Sequence, residues 1–361
     1  MILYLWRLNN NSFDRIAVID NASSVIWVKR FHAAGEFEIY IKASTEFYGL
    51  INSGHIFITR DESNVGMYVE KIQLTTDQEN GDYLTISGRS AECILDWRIV
   101  QRAVFSSVND TAESIVRTLI TQQLLTAGDP GEIPWLSLEA SHAWADNINR
   151  QFTGKKLIDI VQDLCTQFNY GFEFSWNGSG FTIQLYKGTD RSYDQTENTF
   201  VVFSPEFENL GNTEYIKNTA NYANAAIIGG EGEGNDRVFV TVNPEGSTGF
   251  ERRVIYIDAR NSSSDNGEIP EADYKLMLSE EAKEEISLHK VTAEFNGEIL
   301  EYNNYKYGID YNLGDKVSAV NEYGIRGNAQ ITEITEVEDE TGYKLIPTLS
   351  EWVPVEYEQE A

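Results

Sequence analysis

The sequence predicts a mainly β, α+β protein: two similar barrel-like β-domains flanking a small α/β insert. Three observations carry this. Short β-branched and aromatic runs recur toward both ends of the chain. Two amphipathic helical stretches and a hairpin are confined to the middle. The same spacing of glycines occurs once in each β-rich region.

Residues 1–105 read as the first β-barrel-like domain. Met1 to Leu8 is apolar and aromatic, ends at Arg7-Leu8, and lacks the charged start and cleavage site of a signal peptide, so a first strand is expected there. Ile16–Asp20, Ser24–Lys29 and Glu36–Ile41 follow, the last alternating acid with apolar residues as a half-buried strand does. Ile56–Thr59, Met67–Ile72 and Tyr83–Ser87 complete the set, separated by Gly, Asn and Asp.

Residues 106–200 read as the α/β insert. Asn109–Leu125 places Ala112, Ile115, Val116, Leu119 and Ile120 on one helical face, with Asn109 or Asp110 as cap and Glu113 in the first turn. A second helix is expected over Lys155–Phe168, its buried stripe formed by Leu157, Ile158, Val161, Leu164, Cys165 and Phe168. Gly171–Trp176 and Phe181–Tyr186 form strands joined by the Asn177-Gly-Ser-Gly turn. With its own helices and hairpin, this module is expected to bury a core without the flanking domains and to project from them.

Residues 201–361 read as the second β-domain, with one helix at about 271–289 and an acidic C-terminal tail. Ser279 followed by its acidic run resembles a capped helix start. The repeat spans both β-domains. Gly54, Gly66 and Gly81 lie 12 and 15 residues apart, and Gly314, Gly327 and Gly342 lie 13 and 15 apart. In each block a turn glycine opens a strand, a second precedes an alternating strand, and a third turns into another strand.

Composition narrows the functional classes. Fifty-seven acids against 28 bases give a formal charge of -29. Such a surface disfavours stable nucleic-acid binding, which depends on Lys and Arg displacing counterions. No apolar run reaches the length of a membrane span. Cys93 and Cys165 sit in apolar settings and read as buried thiols of a cytoplasmically folded protein. His32, His55, His142 and His289 have no Cys or acid at ligand spacing. The Gly229–Gly234 run lacks the spacing and lysine of a phosphate loop, and its two glutamates would repel phosphate. Asp77–Asp82 lacks the ligand order of a calcium loop and reads as a hairpin turn. No catalytic, cofactor-binding or metal-ligating residue is assigned, and no enzyme activity is expected. Trp27, Trp97, Trp176 and Trp352 read as core, whereas Trp135 and Trp144 are the better candidates for touching a partner.

Several segments together resemble the ReqiPepy-type tail protein family of long-tailed phages and prophages. They are Ala34–Ile39, Ser87–Val100, Gly188–Ser192, Val201–Ser204, Gly211-Asn212, Asn221–Gly234 with Arg237, and Arg253–Arg260. The resemblance runs along nearly the whole chain in order. It implies a baseplate-hub or tail-tip protein of the virion, assembled in the host bacterial cytoplasm. It implies a homotrimer in which two similar domains per chain make a pseudo-sixfold ring matching the tail tube and letting DNA pass. Partners implied are the distal tail protein ring or tail tube protein, and fibre, central spike or receptor-binding proteins, with the tape measure protein a further candidate. Relatives often carry C-terminal fibre or lytic modules. With the sequence ending at Ala361, those roles are expected to fall to other polypeptides. The alternative reading is a carbohydrate-binding or depolymerising tail component, since acid pairs abound. On the hub reading the channel wall is expected to be acidic, through some of Asp310, Asp315, Glu333, Glu336 and Glu338–Glu340.

Overall fold

The computed structural model describes residues 1–61, 63–78, 81–105, 110–148, 150–262, 264, 269–299, 305–324 and 326–354. Asn109, loop residues Glu79 and Asn80, and the acidic end from 355 onward lie outside these residues. The chain forms two compact units, one of Met1–Glu214 with Phe295–Ala361, the other of Tyr215–Glu294.

In the first unit, β1 (Leu3–Asn9) and β2 (Ser12–Ile19) form a hairpin. β3 (Ser24–Arg30) pairs with β4 (Glu36–Lys42). Strict alternation in β4 buries Phe37, Ile39 and Ile41 and exposes the residues between them. Each such side chain contributes roughly 1.5–3 kcal/mol when taken from water. Helix α1 (Thr45–Ile51), capped by Ser44, leads to the meander of β5 (His55–Arg60), β6 (Ser63–Thr75) and β7 (Tyr83–Ser90).

The middle of the chain follows. A 3-10 helix at Ala91–Trp97 precedes β8 (Ile99–Phe105). Helix α2 (Ala112–Ile120) continues into a π-helical turn at Thr121–Leu125. Its cap is Thr111, in reciprocal hydrogen bonds with Ser114, and neither Asn109 nor Asp110. Then come β9 (Leu136–Leu138), β10 (Arg150–Lys156) paired with β8, and α3 (Leu157–Phe168), ended by Asn169 at φ +55°. β11 (Gly171–Trp176) and β12 (Phe181–Tyr186) form the predicted hairpin, residue for residue. The module's core is shared with the first β region. Phe57 belongs to the same buried cluster as Ile115, Leu164 and Phe174, and Trp6 and Phe13 pack on it. A self-sufficient core for the insert is therefore corrected: aromatic residues of β1, β2 and β5 complete it.

β13 (Val202–Phe203) and β14 (Leu210–Asn218) follow. The Tyr215–Glu294 unit carries β15 (Ala225–Gly229) between β16 (Phe239–Val242) and β17 (Val254–Asp258). Helix α4 (Glu271–Leu288) buries Tyr274, Leu278 and Ala282 with Ala226 and Ile228. Pro270 precedes this helix, so Ser279 is interior to it and does not cap it. β18 (Thr292–Ile299), β19 (Lys316–Val320), β20 (Arg326–Asp339) and β21 (Gly342–Pro354) complete the fold.

The sheet path is β14-β18-β21-β20-β3-β4-β7-β6, continuing into β11-β12-β9. It is mainly β, as predicted, and open among the described strands rather than closed into a barrel. The path contains one neighbour order twice. β3-β4-β7-β6 is flanked by β5 and then β1; β14-β18-β21-β20 is flanked by β19 and then β13. The glycine repeat lies inside this order. Gly54, Gly81, Gly314 and Gly342 all have positive φ, between 87° and 133°, where a Cβ is strained. Gly66 and Gly327 lie within the equivalent strands β6 and β20.

Candidate assembly joint

The two repeats meet where β20 pairs antiparallel with β3, from Glu333 opposite Arg30 to Glu338 opposite Val25. Alternation sends Trp27 into the core, fully buried, and its opposite number Glu336 with it. A carboxylate in that setting must be neutralised. Lys29 Nζ lies 3.3 Å from Glu336 Oε1, and Arg60 pairs with the same oxygen. Tyr343 donates its hydroxyl to Oε2 at 2.7 Å. Burial pushes Glu336 toward its neutral form, but Lys29 and Arg60 outweigh it and hold the carboxyl below the usual glutamate range. Burial lowers the Lys29 ammonium below an ordinary lysine value, against the pull of Glu336. The cations also lie over rings: Lys29 Nζ is 4.3 Å from the Tyr307 centroid, and the Arg60 guanidinium 5.6 Å from that of Trp27. On the other face Arg30 links Glu333 at 2.7 Å and Glu36 at 2.6 Å. The N-terminal amine of Met1 pairs with Glu338.

β6 stands where β20 stands in the other repeat, but its second half differs in one respect. Lys71–Thr75 pair with β7, and among the described residues no strand lies on their other side. Lys71, Gln73, Leu74 and Thr75 are exposed. β14 ends the sheet path at the opposite extremity.

A second feature ties residues 188–192 to the C-terminal repeat. Asp315, 3% exposed, accepts from Thr189 N–H at 2.7 Å, Asn312 N–H at 2.9 Å and Arg191 Nε at 2.9 Å. A Cβ on Gly188 would lie 1.7 Å from the Gly314 carbonyl oxygen, so the two backbones touch as only glycine permits. Two other buried carboxylates are structural. Glu113 accepts from Ser141 Oγ, His142 N–H and Trp144 N–H at 2.7, 2.7 and 3.0 Å. Glu92 Oε1 accepts from Phe174 N–H at 2.7 Å, and burial raises its carboxyl to about 7.

Several sequence-predicted positions are corrected by this geometry. Asp315 and Glu336 are internal counterions and cannot form an acidic wall. Asp310 accepts from Lys306 N–H within its own turn, and Glu333 and Glu338 are both ion-paired. Asp339 and Glu340 remain exposed at the β20–β21 turn. Trp135 packs edge-on against Phe13 and Phe57, and Trp144 stacks on His142 at 4.6 Å beneath Lys187, so both serve internal packing. Trp97, expected in the core, is 46% exposed, whereas Trp27 is buried and Trp176 packs against Trp6 and Phe13. The side chain of Trp352 lies outside the described residues. Each histidine bonds separately, His55 to Tyr68 Oη and His142 to the Leu185 carbonyl, for example. No cluster of potential metal ligands occurs among the described residues. The carbonyls of Gly229 and Gly230 accept from Arg237, the opposite polarity to a phosphate cradle. The buried carboxylates were missed because charge was read as surface. Position gave a signal for one of them alone: Glu92 lies within Ser87–Val100, a segment that carries the family resemblance.

The fold has solved counterparts. A 43 kDa tail protein of prophage MuSo2 from Shewanella oneidensis aligns with TM-score 0.59 at 12% identity, over 97% of this chain and 98% of that one. A tail protein from Neisseria meningitidis MC58 gives 0.58 at 11%, over 97% and 96%. Prophage tail protein gp18 from Listeria monocytogenes EGD-e gives 0.52 at 12%, over 97% and 94%. At such identities the likeness is one of fold. A search among curated proteins gives no match. The profile of the Siphovirus ReqiPepy6 Gp37-like proteins matches residues 2–349. With that match spanning nearly its whole length, the chain belongs to the Siphovirus ReqiPepy6 Gp37-like family, a family of structural phage tail proteins rather than enzymes.

Proposed function

We propose that this protein is the hub subunit at the distal end of a phage tail, three copies forming a pseudo-sixfold ring through which DNA leaves. The observation that carries the reading is the doubled strand order with its edge-to-edge joint at β20 and β3. Two equivalent β-domains joined side by side are two sectors of a ring, and three chains supply six. On this reading residues 1–105 and 201–361 are the ring domains and 106–200 the insert, lying to the outside of the ring. The distal tail protein or tail tube protein stacks on one side. Fibre, spike or receptor-binding proteins stack on the other. A net charge of -29 suits a conduit that must not retain DNA, whose phosphates bind basic surfaces.

Light scattering on the purified full chain, followed by negative-stain imaging, tests this. A trimer with a central opening is expected. A monomer at every concentration, or a two-fold dimer, overturns it.

A further inference from the structure

We propose that the exposed edge of β6, Lys71–Thr75, is completed by β14 of a second copy of this chain. The inference rests on the ring reading above and adds the surface, the partner strand and the register.

The argument is a transposition of the joint the chain already makes with itself. In the C-terminal repeat, the second half of β20 is covered by β3, the first strand of the N-terminal repeat. In the N-terminal repeat, β6 occupies the place of β20, and the strand equivalent to β3 is β14. The same joint, made once more, sets β6 against β14. Within one chain β6 and β14 lie toward opposite ends of the eight-strand path, so the joint runs head to tail between copies. Such a contact closes into a ring when its rotation permits.

Two irregularities fix the register. The β6–β7 ladder is interrupted between Val69 and Lys71, and the β20–β21 ladder between Asn328 and Gln330 and again between Ile331 and Glu333. The second is the match, because β5 covers β6 up to Tyr68 and β19 covers β20 up to Gln330, at the same offset. Aligning them matches Lys71 to Glu333, Ile72 to Ile334 and Leu74 to Glu336. The match keeps faces: Ile72 packs with the core cluster beneath β4 and β7, and Ile334 is buried. Trp27-Val28-Lys29 of β3 aligns with Tyr215-Ile216-Lys217 of β14 in residue type. Carrying the β20–β3 pairs across places Gln73 opposite Ile216, Leu74 opposite Tyr215 and Thr75 opposite Glu214 of the second copy.

The physical drive is plain. An exposed strand edge without proline presents unpaired N–H and C=O groups, and a long one is an association site unless blocked. Lys71 is the only charge in Lys71–Thr75. Leu74, on the core-facing side opposite Leu84, is still 46% exposed, and a neighbouring strand would cover it. Strand addition satisfies both groups at once.

The test uses full-length chains. One chain carrying Gln73→Cys and a differently tagged chain carrying Ile216→Cys are co-expressed and oxidised. Directly opposed residues lie about 4.5–5.5 Å apart at Cα, within disulfide reach. Cys93 and Cys165 are buried and do not compete. Disulfide-linked hetero-tagged dimers are expected in most of the assembled protein, and few with Asn212→Cys, displaced along β14, in place of Ile216→Cys. As a second measurement on the unmodified protein, hydrogen exchange at residues 71–75 should slow on assembly. Trimers that neither cross-link at 73 and 216 nor protect residues 71–75 overturn this joint and leave the ring standing. Absence of any oligomer overturns both.

Discussion

The ammonium of Lys29 and the carboxylate of Glu336 lie 3.3 Å apart, both nearly closed off from solvent, across the seam between the two β repeats. One residue comes from each repeat, so the pair couples them. Arg60 makes it a triad with one acid and two cations. Such a cluster is fragile to single changes, because removing one member strands the others in low dielectric.

Glu336→Gln is expected to destabilise the fold by about 3–5 kcal/mol, since Arg60 is left buried without its counterion and Lys29, already lowered by burial, loses the acid that holds its proton. Replacing all three with apolar residues of similar size is expected to cost much less than the single change. Urea unfolding of wild type and the two variants checks this, and equal losses in the single and triple variants would refute the triad.

Glu92 gives a pH signature. Its folded carboxyl titrates at about 7, above the ordinary value of 4.5, because burial favours the neutral acid. Its contribution to stability is therefore fully present below pH 4.5 and is lost as pH rises through about 7. Glu92→Gln should abolish this component, so its melting temperature relative to wild type should climb between pH 5 and 8. The gain should reach about 3 kcal/mol at the alkaline end. A pH-independent difference would contradict the assignment.

Gly314→Ala tests the turn that opens β19 and its fit against Phe31. Gly314 has φ +91°, and a Cβ there would lie 2.3 Å from the Phe31 ring. Strain alone costs about 1–3 kcal/mol, and the overlap adds to it. Gly342→Ala, at φ +117° but with open space, should lose less. Thermal melting of the two variants ranks them, and the reverse order would refute the argument.

Glu113→Ala removes the acceptor that holds Ser141, His142 and Trp144 beside the first turn of α2. A loss of about 1–3 kcal/mol is expected, with the part-buried backbone donors of His142 and Trp144 left unmet. Faster cleavage near residue 142 by limited proteolysis would register it locally; an unchanged pattern would contradict the role.

Periodicity and turn chemistry made much of the fold legible. The β11–β12 hairpin and α3 follow from local pattern alone. The glycine repeat pointed to the doubled strand order because positive φ at a turn is a demand that few residues other than glycine meet. Partnership was not legible. Whether Glu336 faces solvent or a lysine depends on β3, some 300 residues distant in sequence, and alternation fixes only the face and not what lies across it. The packing of Trp135 and Trp144 was illegible for the same reason: the irregular stretch that holds them lies against Phe13, Phe57 and Tyr170.

The turn from β3 to β4 takes only residues 31–35, whereas the equivalent passage from β14 to β18 runs through residues 219–291 and holds a folded body of its own. One hairpin connection thus carries a whole folded body and its twin carries five residues. Sequence drift, loss or exchange of that body changes no strand neighbour in the N-terminal repeat. Among relatives, length variation should accumulate at this passage while the glycine spacing of the two meanders stays constant, giving a lineage of tails a place to diversify without redrawing the scaffold.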